Sequence, residues 1–201
     1  MRRTAGPLRS FTVRLLAATV YRRLVLFETD FANYSAGEPP IAGVTVAVLE
    51  ADETEEYRVL RPDTPAGEVR ARLAAGDRCF VTRRDGRLVR ALWISRESAS
   101  SPYLRSELPL APDEAYVHDM FAAPEARGGD IGRAVRAMLG RVLRAEGCRV
   151  MIALVLPENH AALRMMARQD YRPVAVVASL GIGSRVRIFR RRLPRRSRHG
   201  R

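Results

Sequence analysis

The chain has 201 residues and a net charge of +13, and its 47% of hydrophobic residues suffice for the core of one globular domain with extensions. All 35 basic residues are arginines, and the acid-free ends hold six (residues 1–23) and seven (residues 190–201) of them. The stretch between is formally neutral, which disfavours nucleic-acid binding, because such proteins usually carry a basic face on the folded domain.

The basic N-terminal extension, residues 1–42, allows two interpretations. Apolar residues at 13, 16, 17, 20, 24 and 27 fit an amphipathic helix that could rest on an anionic membrane surface. The stretch "YRRLVLFE" fits an added strand of a sheet equally well. Arg14, Arg22 and Arg23 interrupt the apolar stretch, so we expect neither a transmembrane helix nor a secretory signal.

The next elements are predicted as a strand at 43–50, a helix at 65–76 and two strands at 79–96 around the hairpin signal Asp85-Gly86. Residues 97–113, rich in serine and proline, are predicted to form a loop. Cys79 and Cys148 have no cysteine or histidine partner at metal-ligand spacing. We expect buried free thiols in a reducing cytoplasm and no metal site.

The second half alternates between strand and helix patterns. A strand at 115–122 precedes a glycine-rich loop, a helix with one apolar face at 131–147, and a nearly all-apolar strand at 148–156. A short helix runs from Asn159 to Gln169, strands follow at 171–180 and 184–190, and an arginine-rich disordered tail occupies 191–201. This order predicts a mixed α/β sheet with at least one parallel pair and a ligand site beyond the carboxyl ends of its strands.

The loop "PEARGGDIGRA" (124–134) offers consecutive backbone N–H groups just before a helix N-terminus, and Arg127 adds a positive charge. Such a site suits phosphate, although a tight connection is an alternative reading of the glycines alone. A nucleoside triphosphate loop would require a lysine, which the chain lacks. A dinucleotide fingerprint belongs in the first strand-to-helix turn, and this loop lies past residue 120.

The stretch "AAPEARGGDIG" (122–132) resembles the acyl-CoA pyrophosphate loop of the GCN5-related N-acetyltransferase (GNAT) family, with Pro124, Arg127, Gly128, Ile131 and Gly132 in register. A second family motif is similar to "NHAALRMMARQDY" (159–171). The resemblance covers residues 43–190. It implies a mostly antiparallel central sheet, flanked by helices, with a parallel pair splayed around the acyl-CoA cleft.

The resemblance also implies an activity: transfer of acetyl from acetyl-CoA to a small-molecule or peptidyl amine, by direct attack in a ternary complex. Backbone groups of Met120 and Ala122 would hold the pantetheine arm and polarise the thioester carbonyl. The remaining cosubstrate-binding positions would be Arg127, Gly128, Gly129, Asp130, Ile131, Gly132 and Asn159. We expect a cytoplasmic bacterial enzyme without a metal; a homodimer and weak contact of the arginine-rich ends with anionic surfaces stay open.

Three residues are candidates for the catalytic base that deprotonates the amine. His118 lies where family members often place an acidic base, and an imidazole that titrates near neutrality suits this task. Asp119 and Glu114 are lesser candidates, because Asp119 points to the opposite face of an ideal strand and Glu114 lies at the strand start. A hydrogen-bonded structural role is the alternative for His118 and Asp119.

Two departures from the family pattern define the competing hypothesis. Met166 stands where many members carry the tyrosine proposed to protonate the thiolate, and Asp130 replaces a glycine of the loop. Aspartate tolerates a left-handed backbone, and its carboxylate could pair with Arg127 or Arg133. A catalytically degenerate ligand-binding or interaction protein is therefore the alternative, and a binder of anionic surfaces through its arginine-rich ends is the second.

Overall fold

The computed structural model describes residues 21–31, 41–127, 129–182 and 185–194. Contacts divide the chain into two compact units. The central unit comprises residues 29–99 and 109–153, and the terminal unit comprises residues 1–28, 100–108 and 154–201. The predicted mixed α/β class is confirmed, since the strand pairs are antiparallel except for one parallel pair among the described residues.

The sheet of the central unit contains strands β2 (Val44–Val48), β3 (Arg78–Arg84), β4 (Arg87–Ser95), β7 (Glu114–Ala122) and β8 (Val150–Val155). Across the sheet they follow the order β8-β7-β4-β3-β2. Strands β7 and β8 form the parallel pair. Residues 114–116 of β7 pair with residues 150–152 of β8, and β7 then continues unpaired with β8 as far as Ala122. The predicted hairpin at Asp85-Gly86 is confirmed: both residues have positive φ (50° and 78°), as a type I′ turn requires.

Three helices accompany this sheet: α1 (Thr54–Leu60), α2 (Ala66–Ala74) and α3 (Gly129–Ala145). Tyr57 of α1 and Val69 of α2 pack in a core cluster with Cys79, Ala91 and Trp93 of the sheet. Gly132 of α3 approaches Arg90, which neighbours Ala91 in β4 and therefore faces the other side of the sheet. Helices thus cover both faces of the central unit's sheet.

The terminal unit contains β1 (Tyr21–Asp30), β9 (Arg172–Ile182) and β10 (Arg185–Arg192), with β9 antiparallel to both others. The added-strand interpretation of "YRRLVLFE" is therefore confirmed, and the helical one is wrong for residues 21–30. Residues 1–20 and 195–201, with the predicted amphipathic segment and most of the tail, lie outside the described residues. Helix α4 (His160–Arg168) also belongs to this unit.

The predicted loop at 97–113 is wrong over part of its length, because β5 (Ser98–Ser101) and β6 (Ser106–Pro109) pair there. Buried Ala99 and Leu104 anchor this hairpin, and the N–H of Leu104 donates to Ser101 Oγ at 3.2 Å. Arg105 supplies the turn with a positive φ of 53°. Serine-rich strands resemble loops in sequence because serine side chains also bond to turn backbone.

Candidate active site

Strand β7 carries an irregularity next to His118, one of the predicted catalytic residues. Ala91 of β4 pairs with Phe121 and Trp93 pairs with His118, so Asp119 and Met120 lie opposite Leu92 alone. This is a β-bulge, and Asp119 adopts a left-handed conformation there with φ of 42°. The bulge leaves backbone groups of the extra residue outside the regular ladder and increases the local twist.

Asp119 lies on the side of the sheet covered by α1 and α2, and the expectation that it points away from His118 is wrong. Its Oδ1 accepts from Arg61 Nη1 at 2.8 Å and its Oδ2 from Arg72 Nη1 at 2.7 Å. Arg72 also lies over the ring of Trp93, which stacks with His118. The bulge is the reason, because an ideal strand would alternate the two side chains between faces.

The two arginines hold the Asp119 carboxylate in its charged form. Burial alone would raise the pKa of Asp119, but the hydrogen bond from Arg72 and the charges of both arginines outweigh burial, so the pKa lies below its ordinary value. A carboxylate so engaged is a weak proton acceptor at neutral pH. Asp119 is therefore suited to fixing the local backbone.

His118 is about four-fifths buried among aromatic rings and one carboxylate. Its ring stacks on Tyr116 with centroids 5.1 Å apart and on Trp93 at 6.4 Å. Nε2 lies 3.4 Å from Oδ2 of Asp77, which precedes β3. This carboxylate can orient the imidazole and stabilise its protonated form, which a base produces when it takes a proton.

His118 contacts the core cluster through Trp93, and Tyr57 and Cys79 are buried in the same cluster. Trp93 Nε1 donates to the hydroxyl of Tyr57 at 3.0 Å, and the rings meet edge to face. Burial, assisted by the Asp119 charge, raises the pKa of the Cys79 thiol to about 12. Both Cys79 and Cys148 are buried free thiols, as the sequence predicts.

The glycine-rich loop follows β7 directly and leads into α3. Arg127 is exposed, and its Nε donates to the carbonyl oxygen of Ala122 at 3.1 Å. Gly129 begins α3 with φ of 60°, a conformation that favours glycine, whereas Gly128 lies outside the described residues. Ile131 is buried on the helix and Gly132 is half-buried.

Asp130 forms an ion pair with Arg133, one of the two arginines predicted as partners of its carboxylate. Both side chains are more than half exposed. The positive φ that Asp130 was expected to tolerate occurs at Gly129, and Asp130 is an ordinary helical residue. The pair partly neutralises the carboxylate that would otherwise repel an anion at this helix terminus.

The second motif lies in the terminal unit. Asn159 is the N-cap of α4, and its Oδ1 accepts from the Ala162 N–H at 3.0 Å. Tyr171 is a buried core aromatic, and Met166 is 1% exposed. Asp170 has φ of 58° and terminates the helix in the left-handed conformation that aspartate tolerates.

The sequence patterns did not predict three residues that contact His118 or Asp119, namely Asp77, Arg61 and Arg72. Asp77 joins His118 only through the pairing of distant strands, and no local pattern identifies it. Helix α1 was missed as well; a capping box of Glu50 and Glu53 starts the short 3₁₀ helix Ala51–Glu53 that leads into it.

Two other kinds of feature, a metal site and a membrane-spanning helix, are not found in the described part of the chain. No three acidic, histidine or cysteine side chains are grouped there so as to bind a metal ion. None of the helices in these segments combines the length and apolar character needed to cross a membrane.

Comparison with known proteins places these observations in a family. The family model "Acetyltransferase (GNAT) family" matches residues 46–171, whereas no curated protein sequence matches the chain. A functionally unknown conserved protein from Staphylococcus epidermidis has a similar fold, with a TM-score of 0.59, 13% identity, and coverage of 88% of this chain and 67% of that chain.

Two further structures are similar. One is a tandem GNAT protein from the clavulanic acid biosynthesis pathway, with a TM-score of 0.55, 16% identity, and coverage of 86% of this chain and 57% of that one. The other is an aminoglycoside N-acetyltransferase in complex with CoA, with a TM-score of 0.52, 18% identity, and coverage of 68% and 92%. These likenesses support the fold, and the family match covers more than half of the sequence: the chain belongs to the GNAT acetyltransferase family.

Proposed function

We propose that this protein is an acyl-CoA-dependent N-acyltransferase that transfers acetyl from acetyl-CoA directly to an amine. The observation that carries the proposal is the bulge of β7, which lies on the strand that leads into the glycine-rich loop and α3. One continuous segment thus provides irregular backbone for a thioester and a helix N-terminus for phosphates.

The loop and the end of β7 would hold the cosubstrate. Arg127 engages the Ala122 carbonyl through Nε, and its two terminal amino groups donate to no described residue, which leaves them for a phosphate. The N–H groups at the start of α3 would contact the same phosphates. Backbone groups of Met120 and Ala122 would bind the pantetheine arm and polarise the carbonyl.

His118 would accept the proton of the attacking amine, with Asp77 stabilising the resulting imidazolium. The amine nitrogen forms a bond to the acetyl carbon while the bond from that carbon to sulfur breaks. Asp119 would hold the bulge in place. The thioether of Met166 cannot donate a proton, so water or another donor would protonate the departing thiolate.

Calorimetric titration with acetyl-CoA and with CoA tests cosubstrate binding. We expect the wild type to bind both, and Arg127→Glu to bind at least about tenfold more weakly, because a charge-assisted contact becomes a repulsion. Arg141→Glu, an exposed position near the other end of α3, is the matched control and should bind as the wild type does. Unchanged binding by a folded Arg127→Glu protein would exclude the loop as the phosphate site.

A catalytically degenerate ligand-binding protein is the alternative, and the buried Met166 thioether favours it. Release of free thiol from acetyl-CoA, measured across a panel of small amines, amino sugars and peptides, separates the two. Amine-dependent release above background rejects the degenerate protein. Tight acetyl-CoA binding without release for any amine rejects the transferase.

A further inference from the structure

Arg90 of β4 is a buried arginine beneath the first turn of α3. It is 8% exposed and pairs in register with Ala122, the residue whose carbonyl binds Arg127. Its Nη1 lies 3.4 Å from the position that a Cβ would occupy on Gly132. The guanidinium thus reaches the N-terminal turn of α3 from the side of the sheet.

The guanidinium of Arg90 has no compensating partner in the described part of the chain. Among the described residues no carboxylate pairs with it and none accepts a hydrogen bond from it, so its nitrogens depend on what solvent contact they retain. A buried charge ordinarily requires such a partner. The charge that acts on it is that of a second cation, Arg136, on α3.

The surroundings add further positive potential. The N-terminus of a helix carries a partial positive charge, and α3 has 17 residues over which this dipole develops. Burial, and then the charge of Arg136, lowers the pKa of Arg90. A buried cation held beside another cation and a helix N-terminus is unfavourable in the free protein and becomes favourable when an anion binds.

We propose that Arg90 is a second anion-binding arginine, which contacts a phosphate group bound at the first turn of α3 from the β4 side. That the anion is the diphosphate of an acyl-CoA rests on the proposed function. Arg127 would then contact the diphosphate from the exposed side and Arg90 from the sheet side. Because a guanidinium can bind two phosphate oxygens at once, Arg90 would favour a diphosphate over a phosphate-free pantetheine thioester.

Calorimetric titration with acetyl-CoA and with inorganic pyrophosphate tests this assignment on the full chain. We expect Arg90→Met to bind both about 10- to 100-fold more weakly than the wild type, since one charge-assisted contact is lost. Arg87→Met, at the exposed start of the same strand, is the matched control and should bind both as the wild type does.

Thermal unfolding without ligand separates binding from a purely structural role. Methionine fills the space of the arginine stem without an unpaired charge, so Arg90→Met should melt at the same temperature as the wild type or higher. A clearly lower melting temperature would mean that Arg90 supports the fold and would overturn the assignment.

The two ligands also separate this inference from the proposed function. If Arg90→Met binds acetyl-CoA as tightly as the wild type, the assignment of Arg90 fails and the transferase proposal stands. If the wild type binds pyrophosphate, Arg90→Met binds it more weakly, and the wild type does not bind acetyl-CoA, the assignment of Arg90 as an anion-binding residue stands and the transferase proposal fails. If the wild type binds neither ligand, both fail.

Discussion

At the scale of single residues, His118 and Asp119 show how neighbours in sequence acquire different chemistry. The carboxylate of Asp119 is engaged by two arginines, which lowers its pKa and its value as a base. The imidazole of His118 contacts two aromatic rings and one carboxylate, and it is partly accessible. Their different partners make His118 the better candidate for proton transfer.

Replacing His118 by glutamine should reduce kcat and leave acetyl-CoA affinity nearly unchanged. Glutamine keeps polarity and similar size but cannot accept the amine proton, so we expect a loss of about 10²–10⁴-fold in kcat. Amine-dependent thiol release measures kcat, and titration measures affinity. His160→Gln, at the exposed start of α4, is the control and should leave both unchanged. Equal kcat in His118→Gln and wild type would remove His118 from the mechanism.

At the scale of secondary structure, the bulge of β7 is held from outside the strand. Arg61 follows α1 and Arg72 lies within α2, so two helices fix one left-handed residue of the sheet. Both arginines also lie over aromatic rings, Phe121 and Trp93 respectively. The helices thereby determine the geometry of the backbone that would polarise a thioester.

Replacing both arginines should lower the free energy of unfolding more than replacing Asp119 does. In Arg61→Gln/Arg72→Gln the carboxylate remains partly buried without its partners, and we expect a loss of about 1–3 kcal/mol in the free energy of unfolding. Asp119→Gly removes the carboxylate and accepts the positive φ, so its loss should be smaller. Urea denaturation compares the two variants. Wild-type stability of Arg61→Gln/Arg72→Gln would show that the ion pairs contribute little.

The same scale shows what the sequence could predict. The hairpin at Asp85-Gly86 and helix α3 follow from local rules, namely a type I′ turn and an apolar face of helical period. The bulge at Asp119 and the β5–β6 hairpin do not, because each depends on partners distant in sequence. The loop motif identified the candidate site, but Asp77, Arg61 and Arg72 are brought to it only by strand pairing and helix packing.

At the scale of the molecule, positive charge concentrates at the chain ends while ion pairs stabilise the central unit. Residues 1–20 and 195–201 contain eight arginines and no acid. In the central unit, Arg78 forms two hydrogen bonds to Glu146 at 2.6 and 2.7 Å, and Arg83 pairs with Glu53 and Glu56. Acidification should therefore weaken the folded core through its carboxylates.

Stability should fall in acid partly through Glu146, whose pKa is lowered mainly by the hydrogen bond from Arg78. A depressed pKa in the folded state contributes stability that is present above the unfolded pKa, about 4.3, and is lost as pH falls through the folded value. The melting temperatures of wild type and Glu146→Gln should therefore converge between about pH 5 and pH 3. Glu55→Gln, at an exposed pair, should differ little at any pH. Parallel curves for wild type and Glu146→Gln would contradict this assignment.

The raised pKa of Cys79 bears on a hazard that any thioester-binding protein faces, which is acylation of its own sulfur. Transfer between thiols requires a thiolate, and burial raises the pKa of Cys79 so far that the thiol stays protonated at neutral pH. Cys79 is fully buried and pairs with Trp93, next to the strand that would hold the thioester. If a thioester binds at β7 as proposed, the fold would keep this neighbouring thiol unreactive, and the acyl group would remain available to an external amine.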